Sequence, residues 1–230
     1  MSKRHWRIVV AGEGGQGVQL IGEILAESAF RAGKEAIYIP NFGVEQRGGV
    51  SIAMVQIAEQ ALGAPKFEKA DILVPLSERA VERTLAYIKR DTFYIYEASA
   101  IAPPQLLDAT VGIQAWETVA PEAFSLAVGS KPQAPSRPPA DMGLMPDRTI
   151  GIPAAEIARA ELKPRVFNII ILGAILAASG VLSLAMVQEG MLAKLGDKLR
   201  RDPELKQLNL RALDRGWAYV TEAVRRETNR

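Results

Sequence analysis

The sequence predicts an α/β fold: a Rossmann-like, three-layer αβα domain with a mainly parallel sheet and a helical C-terminal part. Three observations support this class. Short apolar runs rich in β-branched residues alternate with helical stretches between residues 8 and 96. A glycine-rich turn follows the first of these runs directly. Beyond residue 153 the apolar residues recur almost only at helical spacing.

The composition fits a single domain that covers residues 1–230. The chain has 230 residues, and 48% of them are apolar, which is enough to bury one α/β core. A formal net charge of +2 gives no electrostatic footprint for nucleic acid, so no nucleic-acid partner is expected.

The chain offers few groups that could hold a metal. It has no cysteine, so it provides no thiolate for an iron–sulfur cluster or zinc and forms no disulfide. Its one histidine, His5, lies in a polar N-terminal segment, where we expect it to be solvated. A catalytic triad or metal site built on histidine is therefore excluded within this chain.

One apolar stretch raises the question of a membrane span. Val166 to Val187 contains no charged residue and is long enough to cross a bilayer. However, Asn168 lies inside this stretch and Ser179-Gly180 interrupts it, which favours two buried core helices. The N-terminal apolar run is too short for a signal peptide. We therefore expect a cytoplasmic protein without a membrane partner.

The first strand, Ile8–Ala11, runs directly into a glycine-rich turn and then into a helix predicted over Gln16–Phe30. Glycine permits positive φ or close backbone approach at such a turn. Free N–H groups at the start of the helix attract anions. Two interpretations stay open: a turn that cradles a ligand phosphate, and a tight strand-to-helix crossing without a ligand. Gly12, Gly14 and Gly17 match the pattern G-x-G-x-x-G.

The second strand, Ala36–Ile39, argues against NAD in its usual pose. The end of this strand should carry an acid for the ribose, but the chain continues into Pro40-Asn41. A different nucleotide-like ligand remains open.

The loop Pro40–Gly49 combines an aromatic residue, an acid, an amide and an arginine with paired glycines. Gly48-Gly49 lets a ligand approach the backbone closely, and Arg47 can form paired hydrogen bonds with a phosphate or carboxylate. The alternative is an ion pair between Arg47 and Glu45 that only folds the loop. Because this loop and the glycine turn both follow strand ends, they can meet in one crevice.

The remaining elements follow from the same periodicities. Ser77 and Asp202 are predicted N-caps of two helices. Asn209, Ala212 and Gly216 form a stripe on the last helix, which favours close helix packing over a ligand site. The predicted strands are 50–57, 70–76 and 92–96, and the predicted helices are 78–89, 154–162, 166–178, 184–195 and 203–226.

Residues 101–148 interrupt this order. Their second half, 129–148, is rich in proline and small polar residues, which cannot bury enough apolar surface to order themselves. We predict a flexible insertion at about 129–148 unless a partner subunit holds it.

Five motifs occur in order along the chain: Gly12-x-Gly-Gly-Gln-Gly-Val18, Phe42-Gly-x-Glu-x-Arg-Gly-Gly49, Ala70-Asp-Ile-Leu-Val74, Asn168-x-x-x-Leu-Gly-Ala174, and the helix with Asn209, Ala212 and Gly216. This set resembles the gamma subunit of 2-oxoacid:ferredoxin (acceptor) oxidoreductases. That group includes pyruvate, 2-oxoglutarate, 2-ketoisovalerate and indolepyruvate oxidoreductases. The resemblance covers about residues 6–99 and 149–220.

The resemblance implies a non-autonomous subunit of an enzyme that oxidatively decarboxylates a 2-oxoacid to acyl-coenzyme A, with electrons passed to ferredoxin. Thiamine diphosphate and iron–sulfur clusters would belong to other subunits, the partners of this chain, and no cofactor is expected on this chain alone. The chain would complete the substrate cavity and help to seat coenzyme A. By matching position, the implied site residues are Gly14, Gly15, Gln16, Gly17, Glu45, Arg47, Gly48 and Gly49, with Arg47 and Glu45 as hypothetical catalytic residues.

Two departures from the family pattern stand out. Phe42 occupies a position where many relatives have tyrosine, and the insertion at 101–148 is longer than expected. An alternative function is a stand-alone nucleotide- or coenzyme-A-binding module with a regulatory or assembly role. An isolated subunit would expose apolar interface surface, so we expect it to form homo-oligomers when expressed alone.

Overall fold

The computed structural model describes residues 5–42, 49–104 and 148–228. A six-stranded sheet, with strand order β2-β3-β1-β4-β5-β6, forms the middle layer. Its strands are β1 (His5–Gly12), β2 (Glu35–Asn41), β3 (Ser51–Ala58), β4 (Ile72–Pro75), β5 (Phe93–Glu97) and β6 (Thr149–Ile152).

Strand β3 runs against its two neighbours, while β1, β4, β5 and β6 pair in parallel. The prediction of a mainly parallel α/β sheet is therefore confirmed. The reversal has a local consequence, because it places the connection from β2 to β3 at the edge where the other strands have their carboxyl ends. In the register of the sheet, Gly12 at the end of β1 pairs with Ser51 at the start of β3.

The helices lie close to their predicted positions. Ser77 Oγ accepts a hydrogen bond from Ala80 N at 3.3 Å, and Asp202 Oδ1 accepts one from Leu205 N at 2.8 Å, so both predicted N-caps are confirmed. The second helix is shorter than expected and is followed by a 3-10 turn over Leu85–Tyr87. The helices are α1 (Val18–Arg31), α2 (Glu78–Thr84), α3 (Ala154–Glu161), α4 (Phe167–Ser179), α5 (Leu184–Lys194), α6 (Gly196–Arg201) and α7 (Pro203–Thr228).

The apolar stretch that raised the question of a membrane span is two core helices. Gly180, in the left-handed conformation with φ of 63°, ends α4, and Ser183 caps α5. None of the helices in the described ranges is both long and apolar enough to cross a bilayer. The residues of α4 from 168 to 176 are all buried.

Helices α4 and α7 cross at very short distance. A Cβ on Gly216 would overlap the carbonyl oxygen of Ile170, and one on Gly173 would overlap the carbonyl oxygen of Leu213. Asn209 Nδ2 donates to Leu205 O within α7 at 2.7 Å. The stripe of small residues on α7 thus serves helix packing, as the sequence predicted.

The prediction for His5 was wrong. His5 begins β1 and is half-buried, and its Nε2 lies 2.9 Å from Gln56 Oε1. The strand is longer at its amino end than the apolar pattern showed, because pairing with β3 extends to this residue. The predicted flexible insertion lies outside the described residues except for Arg148, which stacks 4.7 Å from the centre of the Phe93 ring.

Candidate anion-binding site at the carboxyl edge of the sheet

The glycine turn between β1 and α1 is locked by the side chain of Gln16. Gln16 Oε1 accepts a hydrogen bond from Glu13 N at 2.6 Å, and Nε2 donates to Leu76 O at 2.9 Å. Leu76 N in turn donates to Ala11 O at 2.8 Å. The amide of Gln16 therefore fixes the turn against the end of β4, and both of its polar atoms are already engaged.

The start of α1 leaves backbone donors without partners in the helix. The first helical hydrogen bond runs from Ile21 N to Gly17 O, at 3.1 Å, so the N–H groups of residues 18–20 precede it. No side chain caps this end, and the first turn contains no acidic residue. Such an end attracts an anion through its N–H groups and the helix dipole.

The four glycines of the turn differ in what requires them. A Cβ on Gly12 would lie within 3.1 Å of side chains of Val18 and Leu76, and Gly17 has φ of 72°. Gly15 has a left-handed φ of 91°, so these three positions need glycine for the fold. Gly14 is different: it is exposed, and a Cβ there would meet no atom within 4 Å. A tight strand-to-helix crossing thus explains Gly12, Gly15 and Gly17 but leaves Gly14 unexplained.

Asn168 is the polar side chain that points at this turn from α4. It is 7% exposed, and a Cβ on Gly17 would contact its Nδ2, Cγ and Cβ atoms. The side-chain amide has no hydrogen bond to any residue in the described part of the chain. The amide atoms are not among the fully enclosed, unpaired polar atoms of the described residues, so they reach solvent and are open to a ligand at the start of α1.

A hydrogen-bonded chain joins α1 to the strands that flank the Arg47 loop. Gln19 Nε2 donates to Ser51 Oγ at 2.6 Å and to Ile52 O at 3.2 Å. Tyr38 on β2 donates its hydroxyl to Gln19 Oε1 at 2.6 Å. Burial, with a smaller contribution from the charge of Glu23, raises the pKa of Tyr38, so the phenol keeps its proton and this donor role.

The predicted site residues divide into two groups. Gly12, Gly14, Gly15, Gln16 and Gly17 form the turn described above. Glu45, Arg47 and Gly48 lie outside the described residues, so their geometry and any pair between Arg47 and Glu45 stay predictions.

The two ends of the Arg47 loop are nevertheless placed. Asn41 pairs with Ile52 and Gly12 pairs with Ser51, so the loop leaves and re-enters the sheet beside the glycine turn. Phe42, at the start of the loop, is 69% exposed. Gly49, at its end, is half-buried.

Glu97 is a buried carboxylate at the same edge that the sequence did not reveal. It ends β5 and is 1% exposed. Its Oε1 accepts from Ser99 N at 2.9 Å, and its Oε2 accepts from Ala155 N at 3.3 Å. The carboxylate of Glu97 thus compensates the positive end of the α3 helix dipole, whereas the start of α1 has no acidic residue and no side-chain cap.

Asn168 was also missing from the predicted site, although it belongs to one of the quoted motifs. An amide inside an otherwise apolar helix was the signal that could have found it. The described residues contain no group of three or more histidine, cysteine or acidic side chains suited to a metal ion. The backbone donors at the start of α1 and the amide of Asn168 are suited to holding an anion.

Comparison with curated proteins gives one consistent family. The family described as pyruvate ferredoxin/flavodoxin oxidoreductase matches residues 7–219. The 2-oxoglutarate synthase subunit KorC of Methanocaldococcus jannaschii is 27% identical over 222 residues, which span 96% of each chain. The ketoisovalerate oxidoreductase subunit VorA of Methanothermobacter thermautotrophicus is 25% identical over 221 residues, 96% of this chain but 38% of that subunit. The chain therefore spans about two fifths of the length of VorA.

Solved structures show the same fold. The 2-oxoglutarate:ferredoxin oxidoreductase from Magnetococcus marinus, solved with 2-oxoglutarate, coenzyme A and succinyl-CoA bound, matches 96% of this chain and 32% of that chain, with a TM-score of 0.69 and 24% identity. The keto/oxoacid ferredoxin oxidoreductase gamma subunit from Geobacter sulfurreducens matches 94% of this chain and 99% of that chain, with a TM-score of 0.64 and 22% identity.

Proposed function

This chain belongs to the pyruvate ferredoxin/flavodoxin oxidoreductase family, and from that membership we propose that it is the gamma-type subunit of a thiamine-diphosphate-dependent 2-oxoacid:acceptor oxidoreductase. The family confirms the resemblance stated from the five motifs. KorC, which this chain matches along nearly its whole length, is a subunit of comparable extent. That correspondence supports a separate subunit rather than a complete enzyme.

The proposed complex oxidatively decarboxylates a 2-oxoacid in the presence of coenzyme A. The substrate loses carbon dioxide, its acyl group forms a thioester with coenzyme A, and the two electrons released pass to an acceptor such as ferredoxin. Thiamine diphosphate, when bound in partner subunits, stabilises the carbanion of this reaction. The chain has no cysteine, so partner subunits would also supply the thiolates of the iron–sulfur clusters.

The role of this chain in the complex would be to seat an anionic part of coenzyme A. The observation that carries this role is the side-chain amide of Asn168, which makes no hydrogen bond within the described residues and lies beside the uncapped start of α1. The backbone at Gly14 and Gly15 is exposed and open to a close approach. A phosphate at this position would accept hydrogen bonds from the backbone of the helix start and from Asn168 Nδ2. We call the proposed site at Gly14, Gly15, Asn168 and the start of α1 the coenzyme A seat.

The Arg47 loop would cover the second side of the coenzyme A seat. Its two ends lie beside the glycine turn. We propose that Arg47 forms paired hydrogen bonds with a phosphate or carboxylate and that Glu45 supports the loop. The backbone of Gly48 and Gly49 would lie in close contact with the ligand. The chain would thereby bind and orient a ligand, while bond making and breaking take place on groups of the partner subunits.

The structure of the Magnetococcus marinus enzyme contains coenzyme A and succinyl-CoA, which supports coenzyme A as the ligand class. A stand-alone nucleotide- or coenzyme-A-binding module remains the second candidate, because the uncapped helix, the open glycine and Asn168 all come from this one chain. The proposed complex would work in the cytoplasm, and its contacts with partners would cover exposed aromatic side chains such as Phe30, which is 74% exposed.

The test is an anaerobic affinity purification of the tagged chain from its source cell, with the eluate assayed for dye reduction that requires both a 2-oxoacid and coenzyme A. We expect activity to co-elute with a thiamine-binding partner. A chain that elutes alone and inert would contradict the subunit proposal.

The coenzyme A seat is tested separately in the active complex. Asn168→Ala should raise the KM for coenzyme A while kcat and the KM for the 2-oxoacid stay unchanged. An active complex whose KM for coenzyme A is unaffected would leave the subunit assignment intact and refute the seat.

A further inference from the structure

A second cleft lies at the opposite edge of the sheet, where the parallel strands begin. It has a volume of about 520 Å³ and is formed by the start of β1, by β3 and by the loop that precedes β4. It does not share a residue with the glycine turn. Its lining side chains include Arg7, Gln56, Lys66, Phe67, Glu68 and Lys69.

Arg7 is the unusual residue of this cleft. Its Nε is completely buried and has no hydrogen-bond partner. The nearby carboxylate of Asp71 is already used, since it accepts from Arg7 N at 2.9 Å and pairs with Lys89 Nζ at 2.6 Å. A buried guanidinium nitrogen without an acceptor is costly, and an apolar side chain would fill this strand position without that cost. Because Nε is enclosed, a ligand in the cleft would reach Arg7, which is half-buried, through the two terminal nitrogens of the guanidinium.

The wall of the cleft beside Arg7 is held by its cross-strand neighbour Gln56. Gln56 Nε2 donates to Ala64 O at 2.7 Å and to Pro65 O at 3.0 Å, which ties the loop to β3. Because the amide nitrogen donates to the loop, Gln56 Oε1 is the acceptor toward His5, and His5 Nε2 carries the proton of that contact at 2.9 Å. The loop that lines the cleft is thus held to β3 by hydrogen bonds at Ala64 and Pro65.

The charge of the cleft is positive. Arg7, Lys66 and Lys69 oppose the single carboxylate of Glu68, which leaves two positive charges. Lys69 Nζ also donates to two backbone carbonyls, Ala86 O at 2.9 Å and Ile88 O at 3.0 Å, so its charge is held in place at the rim. Phe67 adds an apolar wall beside these cations.

We propose that this cleft binds a small phosphate monoester, with Arg7 as its central ligand. The forked donors of a guanidinium match the oxygens of a phosphate, and the two positive charges match a dianion. The volume exceeds that of phosphate alone, so the organic part of the ester would lie against Phe67. This site is separate from the proposed coenzyme A seat and does not depend on it.

The test is calorimetric titration of the 230-residue chain with phenyl phosphate, inorganic phosphate and succinate, in a buffer without other multivalent anions. Phenyl phosphate should bind most tightly, and Arg7→Gln should weaken it about tenfold. Lys66→Gln should weaken it about twofold to threefold, since Lys66 is exposed. Arg83→Gln, which removes an exposed arginine of α2 away from the cleft, is the matched control and should change nothing.

The Asn168→Ala variant tells this cleft from the glycine turn: phenyl phosphate binding that is lost in Asn168→Ala but kept in Arg7→Gln would overturn the site. If Arg7→Gln fails to fold, as judged by circular dichroism, Lys66→Gln decides the question. Succinate binding as tightly as phenyl phosphate would overturn the assignment to phosphate. No saturable binding, or binding that neither Arg7→Gln nor Lys66→Gln alters, would overturn the site.

Discussion

The crossing of α4 and α7 and the glycine turn at α1 both depend on glycine, but for different reasons. At the crossing, Gly173 and Gly216 are glycine because the facing backbone leaves no space for a Cβ. At the turn, Gly14 has empty space around it. A glycine that packing requires indicates only the fold, whereas a glycine with space around it in an ordered turn indicates room kept for something else. The following predictions test this distinction, from the largest effect to the smallest.

Gly216→Ala should have the largest effect on stability. Its Cβ would overlap Ile170 O, so the two helices must separate, and overpacking of this kind costs about 2 kcal/mol or more even though alanine is the better helix former. Urea denaturation followed by circular dichroism measures the change. Gly196→Ala in α6 is the control, because its Cβ would meet only the end of the Arg200 side chain. Equal stability of both variants would refute the close crossing.

Gly17→Ala should destabilise the protein by about 1–2 kcal/mol, since a left-handed residue with a Cβ is strained. Gly33→Ala provides a matched control, because Gly33 has the same φ of 72° but no atom within 4 Å of its Cβ position. The excess cost at Gly17 in thermal denaturation measures the contact with Asn168. Identical melting temperatures for the two variants would show that a Cβ at position 17 makes no unfavourable contact with Asn168.

Asn168→Ala should change stability by about 1 kcal/mol or less, because no described hydrogen bond is lost. In the active complex it should raise the KM for coenzyme A about tenfold, the effect of one hydrogen bond to a charged group. Asn209→Ala is the counterpart: it removes the bond to Leu205 O and should affect stability only. An equal KM for coenzyme A in both variants would assign the two asparagines the same structural role.

Gly14→Ala should leave the free energy of unfolding unchanged within about 0.5 kcal/mol. The added methyl group would stand in the path of a ligand at the turn, so the KM for coenzyme A should rise while kcat stays constant. Steady-state kinetics at saturating 2-oxoacid measure the two parameters. A loss of stability without a change in KM would mean that Gly14 also serves the fold.

Glu13→Gln should have the smallest effect, and in the opposite direction. Glu13 is the acidic residue of the turn, so its removal should lower the KM for an anionic coenzyme about twofold to threefold at low ionic strength. The effect should fade in high salt. Glu82→Gln on the exposed face of α2 should produce no such change. A salt-independent effect would point to a contact other than charge.

Much of the fold could be predicted from sequence because its signals are local. The β-branched runs, the N-caps Ser77 and Asp202 and the break at Gly180 act within a few residues, and each was placed correctly. The direction of β3 was not foreseen, since strand direction depends on pairing partners far away in the chain. His5 was misplaced for the same reason, because only pairing with β3 orders it.

The candidate site was predicted less completely. The glycine turn was found because its signal is contiguous, and family membership confirmed the motif set. Asn168 and Glu97 reach the same edge from distant helices and strands, so only the tertiary structure shows which buried polar group remains unpaired and which one caps a helix. Arg7 gave no signal at all, because a single arginine before an apolar run is ordinary in sequence.

The reversed direction of β3 affects how this edge can change. With every strand parallel, the chain after β2 would have to cross to the opposite edge of the sheet before β3 could begin, usually through a helix. In this structure β2 ends and β3 begins at neighbouring, paired positions, and Ser51 accepts a hydrogen bond from Gln19 of α1, which fixes both attachment points of segment 42–50. This segment can therefore be exchanged as a cassette. A chimera that carries residues 42–50 of a relative should keep its melting temperature while its substrate preference changes.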